Sequence, residues 1–119
     1  MTKTLNWIPL REARQLEDLV KESASTPVLI FKHSTRCSIS SAVLNRLERN
    51  WKPEEMAGVQ PYFLDLLSYR QLSNQIAESL HVEHQSPQAL VVSHGQVVLA
   101  DSHYDISVER IREAASTKN

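Results

Sequence analysis

The chain has 119 residues, 41% of them apolar and 23% charged, which suits one globular domain over 1–119 with a single core. With 13 Lys and Arg against 14 Asp and Glu the net charge is −1, so nothing draws it to nucleic acid or an anionic membrane. A single cysteine, Cys37, excludes an internal disulfide and an all-cysteine metal site within one chain, but leaves a mixed disulfide open. The longest apolar runs, Val28 to Phe31 and Ala89 to Val92, fall far short of the ~20 residues of a membrane span. Residues Met1 to Asn6 lack the apolar centre of a secretory signal, so the expected compartment is the cytoplasm.

The first predicted element is an amphipathic helix from Arg11 to Glu22, with Ala13, Leu16, Leu19 and Val20 at helical spacing. Trp7 and Ile8 precede it, and Pro9 lies near its start. Thr26 and Pro27 break the chain before Val28 to Lys32, a continuous apolar run that suits a strand buried on both faces. A helix beginning near Ser38 carries Ile39, Val43, Leu47 and Trp51 as one stripe, with Leu44 alongside, and Pro53 ends it. Gln60 to Leu66 reads as a strand, and Ser68 with Gln71 as a capping box for a helix whose stripe is Leu72, Ile76 and Leu80. A polar loop from Val82 to Pro87 follows. Gln88 to Ser93, a turn at His94 and Gly95, and Gln96 to Ala100 then form a β-hairpin, and Ser107 caps a last helix bearing Val108, Ile111 and Ala115.

Cys37 falls where the first strand gives way to the helix. Unpaired N–H groups and the positive end of the peptide dipoles favour a thiolate over a neutral thiol at such a junction, and Lys32, His33 and Arg36 add positive charge nearby. Ser40, one helical turn on, is placed to donate a hydrogen bond to that thiolate. His33 is near enough in sequence to share a proton with Cys37, yet no third member of a hydrolase triad is visible. Lys32, at a strand end, is read as a surface residue. Arg36 reads either as an attraction for the thiolate or for substrate carboxylates, or as a solubilising arginine in an exposed turn. His81 and His84 have near-ligand spacing but no second pair to complete a metal site, so they read as a polar helix end running into a surface loop.

The element order is helix, strand, helix, strand, helix, strand, strand, helix. That is the order of an α/β thioredoxin-like fold, a central mixed four-stranded sheet flanked by helices. The run from Phe31 to Ser40, centred on Lys32-His33-Ser34 and Cys37, together with Ser86 and Pro87 downstream, resembles the monothiol bacilliredoxin family of the bacillithiol system over essentially the whole chain. Ser38 departs from it, standing where a proline commonly follows the cysteine. Serine restores the N–H that proline lacks, so thiolate stabilisation is expected to survive while redox tuning is left in question.

The resemblance implies a thiol-disulfide oxidoreductase with catalytic Cys37 and Ser40 and substrate-binding Arg36, Ser86 and Pro87. Where dithiol relatives carry a second cysteine this chain has Ser40, so an external thiol must resolve the intermediate. The implied co-substrate is bacillithiol or a similar low-molecular-weight thiol, the implied partners are S-thiolated proteins, and no tightly bound cofactor or metal is implied. Ser86 and Pro87 match the place where thioredoxin folds hold a cis proline beside the cysteine, with the Ser86 backbone pairing extended substrate. The alternatives are a monothiol glutaredoxin-like iron-sulfur carrier, whose Cys-Gly-Phe-Ser motif and glycine pair are not matched, and a non-enzymatic thiol-redox sensing or binding module.

Overall fold

The computed structural model describes residues 5–116. Five strands form one sheet in the order β1-β3-β2-β4-β5: β1 Ile8–Pro9, β2 Val28–His33, β3 Gln60–Asp65, β4 Gln88–Ser93 and β5 Gln96–Ser102. The helices are α1 Ala13–Glu22, α2 Ser38–Asn50, α3 Pro53–Met56, α4 Arg70–Leu80 and α5 Val108–Ser116, with a 3-10 turn at His103–Asp105. The β1–β3 and β2–β3 pairs are parallel, whereas β2–β4 and β4–β5 are antiparallel.

The two central strands, β2 and β4, are buried along their whole length, which is why both are apolar without alternation. Their side chains part to opposite faces. Leu29, Phe31, Ala89 and Val91 pack with Val43 and Leu47 of α2 and Val108 and Ile111 of α5. Val28, Ile30, Leu90 and Val92 pack with Leu16 and Leu19 of α1 and Leu72 and Ile76 of α4. The sheet thus separates two apolar layers, and any residue of β2 belongs to one or the other by its parity.

The sheet has one strand more than the four expected. β1 is two residues long and contains Pro9, so it carries no alternating pattern; at a sheet edge a proline is tolerated. Ile8 pairs with Tyr62 and Pro9 with Phe63, and the Leu10 N–H bonds the Phe63 carbonyl at 2.8 Å. α1 starts at Ala13 instead of Arg11 because Gln15 Oε1 draws in the N–H groups of Arg11 and Glu12, at 2.7 and 3.0 Å. Pro53, expected to end α2, also opens α3, where a missing N–H costs nothing.

The capping box expected at Ser68 and Gln71 is not formed. Tyr69 occupies the N-cap of α4, one residue later than the box requires, and the Ser68 hydroxyl donates to Asp65 Oδ2 at 3.1 Å. Ser107 does cap α5, its Oγ accepting the Arg110 N–H at 3.2 Å. The hairpin turn has φ of 53° at His94 and 76° at Gly95, the all-positive geometry of a two-residue type I′ turn. Its tip is tied to the α1–β2 loop, with the His94 N–H on the Ser23 carbonyl at 2.8 Å and the Gly95 N–H on Ser23 Oγ at 2.9 Å.

Candidate functional site

Cys37 is the N-cap of α2, in extended backbone, with φ −107° and ψ 118°. Its backbone is held on both sides. The Cys37 N–H donates to the Ser34 carbonyl at 3.2 Å, closing a turn over Thr35 and Arg36, and its own carbonyl accepts the Ser41 N–H at 3.1 Å as the first bond of the helix. The side chain makes no cap hydrogen bond and is half-buried, while Thr35, Arg36 and Ser38 around it are exposed. Cys37 is thus a partly exposed residue on a backbone hydrogen-bonded on both sides.

β2 delivers the chain to this turn. The His33 carbonyl accepts the Leu66 N–H at 2.9 Å beyond the parallel pairing with β3. On the other side Lys32 pairs with Gln88, so Pro87 and Ser86 lie just beyond the paired end of β4, at the end of the sheet where β2 runs towards Cys37. The Ser86–Pro87 peptide bond is cis, as expected. Pro87 is buried and its carbonyl accepts the His103 N–H at 3.1 Å, whereas the enclosed Ser86 Oγ has no hydrogen-bond partner among the described residues.

Ser40 is fully buried beneath the turn. Its Oγ accepts the Ser34 N–H at 3.1 Å and lies 2.7 Å from His33 Nδ1. His33 has α2-face parity and sits beside Phe63 and Phe31, ring centroids 5.5 and 6.2 Å away; Trp7 packs on both phenylalanines and donates to Glu48 of α2 at 2.9 Å. Burial lowers the His33 pKa, and the charges of Asp65 and Glu48 partly offset this. Sequence spacing pointed the Ser40 hydroxyl at the Cys37 sulfur; among the described residues its hydrogen bonds run instead to Ser34 and to His33, a contact that the spacing did not reveal.

Lys32 corrects the sequence reading. It is fully buried instead of lying at the surface, because its parity sends it to the α1/α4 face, where α4 and the loop before Pro87 cover it. Its Nζ donates to the Ser73 carbonyl at 3.1 Å and lies 3.4 Å from His84 Nδ1, and burial pushes its pKa down to about 8. His84 therefore turns inward from a loop expected to be at the surface. Its pKa is lowered by burial and by the charges of Lys32 and Arg70. Gln88, opposite Lys32 on the same face, fastens this loop by donating from Nε2 to the Glu83 carbonyl at 2.9 Å.

A proposed oxidoreductase with a thioredoxin fold is 31% identical, with TM-score 0.76 over 90% of this chain and 91% of that one. Thioredoxin f from spinach chloroplast, in its short form, is 20% identical with TM-score 0.71, covering 98% of this chain and 100% of its own. Malassezia sympodialis thioredoxin is 14% identical with TM-score 0.72, covering 98% of this chain and 93% of its own. At those lower identities the likeness concerns the fold alone, which is the thioredoxin fold. The family model for monothiol bacilliredoxin BrxC matches residues 8–111, and the chain has one cysteine to match that description. It is a thiol redox protein, and it belongs to the monothiol bacilliredoxin BrxC family.

Proposed function

We propose that the protein is a cytoplasmic monothiol thiol-disulfide oxidoreductase that removes bacillithiol, or a similar low-molecular-weight thiol, from protein mixed disulfides. The observation that carries this reading is Cys37, the sole cysteine, partly exposed at the N-cap of α2, at the end of the sheet that also holds Ser86 and Pro87. The Cys37 thiolate attacks the small-thiol sulfur of a protein–S–S–R bond. The protein thiolate leaves and takes a proton from water, and Cys37 carries R as a mixed disulfide. A second RSH, as its thiolate, then attacks the sulfur of R, releasing RSSR and regenerating the Cys37 thiolate. Both exchanges conserve electrons, and no second protein cysteine is required.

In this reading Ser40 supports the thiolate, and Arg36, exposed next to the cysteine, meets carboxylates of the small thiol. The Ser86 backbone pairs an extended S-thiolated protein beside Pro87. No resident cofactor takes part. The test is turnover of a bacillithiolated protein, read as release of its free thiol, with mass spectrometry of Cys37. The expected result is an adduct of one bacillithiol at Cys37 and no turnover by Cys37→Ser. Turnover that survives in Cys37→Ser overturns the reading, as does a wild-type protein that takes no adduct.

A further inference from the structure

The Ser40 hydroxyl has one proton to give and two lone pairs. One lone pair is already taken, because the Ser34 N–H is a donor and nothing else. The direction of the hydroxyl proton is then decided at the 2.7 Å contact with His33 Nδ1. We propose that His33 is a positioning residue for the chemistry of Cys37, acting through Ser40: the ring sets whether the hydroxyl proton points inward to the imidazole or back along the first helical turn to the sulfur. The inference rests on Cys37 being the reactive group, and its test is separable from that of the turnover.

When Nδ1 carries no proton it accepts from Ser40, and the hydroxyl is spent within the triangle of His33, Ser34 and Ser40. When Nδ1 carries a proton it donates instead. Oγ then accepts twice, from His33 and from Ser34, and its own proton loses its partner. Ser40 is fully buried, so solvent does not take that proton up. The side chain three residues back, at the start of the same helix, is Cys37, and a thiolate there is a strong acceptor for a hydroxyl that is costly to leave unpaired.

The groups around the ring allow it to titrate. Phe31 and Phe63 face it from β2 and β3, Asp65 closes β3 in register with it, and α2 contributes Ser40 and the carboxylate of Glu48. Burial favours the neutral ring and the two carboxylates favour the imidazolium, so each protonation state has physical support. A purely structural tie between β2 and α2 would leave His33 indifferent to the state of the sulfur.

Linkage gives the test in the wild-type protein. If the thiolate draws the Ser40 proton, it favours protonated His33, and removing the thiolate must lower the His33 midpoint. NMR titration of His33 before and after alkylation of Cys37 with iodoacetamide should show a fall of about 0.5–1 pH unit, the size of one ordinary hydrogen bond. In Ser40→Ala the fall should shrink to less than half, leaving the through-space part. An unchanged midpoint on alkylation, or an undiminished shift in Ser40→Ala, overturns the proposal.

A kinetic arm reads the same coupling from the sulfur. His33→Asn keeps an amide near the Nδ1 position without titrating, so its rate of Cys37 alkylation against pH should lack the component that follows the wild-type His33 midpoint. Coincident profiles for wild type and His33→Asn count against the proposal. Should coupling be found while bacillithiolated protein is not turned over, the proposed function fails and this inference stands.

Discussion

Lys32 Nζ lies 3.1 Å from the Ser73 carbonyl oxygen, so an amine with no exposed surface joins the central strand of the sheet to the middle of α4. The Ser73 carbonyl belongs to a helix interior and the second partner, His84, is itself titratable. Neither neutralises a buried charge. Lys32→Met should therefore stabilise the protein by about 1–3 kcal/mol at pH 7, because exchanging a buried ion for an apolar side chain of similar volume removes a desolvation cost. Urea unfolding measures it, and a loss of stability would mean that the amine's hydrogen bonds outweigh its burial. The same substitution should raise the His84 pKa, since the Lys32 charge is one of the causes lowering it.

The lysine also sets a pH dependence. Burial pushes its pKa down from the ordinary lysine value of 10.5 to about 8, so between these values the unfolded chain binds more protons than the folded one. Wild-type stability should then rise with pH from 8 towards 10, approaching about 3 kcal/mol in total at 1.36 kcal/mol per unit. The contribution is fully present above 10.5 and lost as pH falls through 8. Unfolding curves at pH 7.5 to 10 check this, and Lys32→Met should flatten the trend.

Tyr62 opposes that trend at higher pH. Its hydroxyl donates to Glu22 at 2.8 Å, and burial together with this carboxylate pushes its pKa from 10.0 up to about 12. The unfolded chain loses this proton first, so the contribution is complete below 10 and disappears as pH rises towards 12. Tyr62→Phe should cost about 1 kcal/mol at neutral pH and remove a tyrosinate absorbance step centred near 12. If the step remains in Tyr62→Phe, the assignment to this residue is wrong.

At the hairpin tip, Gly95 has φ 76°, and a Cβ added there meets nothing within 4 Å. The cost of Gly95→Ala is then conformational instead of steric, about 1 kcal/mol for placing an L side chain in the left-handed region. A drop in the thermal midpoint of a few degrees is expected. No drop would indicate that the turn relaxes to another type.

What the sequence revealed was set by how local each signal is. β2 and β4 were legible because burial on both faces demands continuous apolar runs, and Cys37 was legible because that run stops a few residues before a helical stripe starts. β1 was not, being two residues whose only reason to be a strand is β3 beside it. Lys32 was misread because a lysine at a strand end is ordinarily solvated, and its burial depends on α4 and the loop holding His84, far along the chain. The His33–Ser40 contact joins strand to helix across the Cys37 turn, so helical spacing within α2 could relate Ser40 to Cys37 but could not place the ring beside Ser40.

Ser40→Cys tests the monothiol logic at the position that defines it. Residues 37 and 40 open α2 one turn apart, and a second sulfur there lies within reach of a mixed disulfide on the first. In the wild type an adduct between Cys37 and a small thiol should persist until external thiol is added. In Ser40→Cys the new thiolate attacks the Cys37 sulfur, forms an internal disulfide and expels the small thiol, so the adduct mass disappears without added reductant. The variant also gives up the hydroxyl contacts to His33 and Ser34, which should cost about 1–2 kcal/mol of stability. An adduct equally long-lived in both proteins would show that the side chain at 40 does not face the sulfur at 37, and would remove Ser40 from the site.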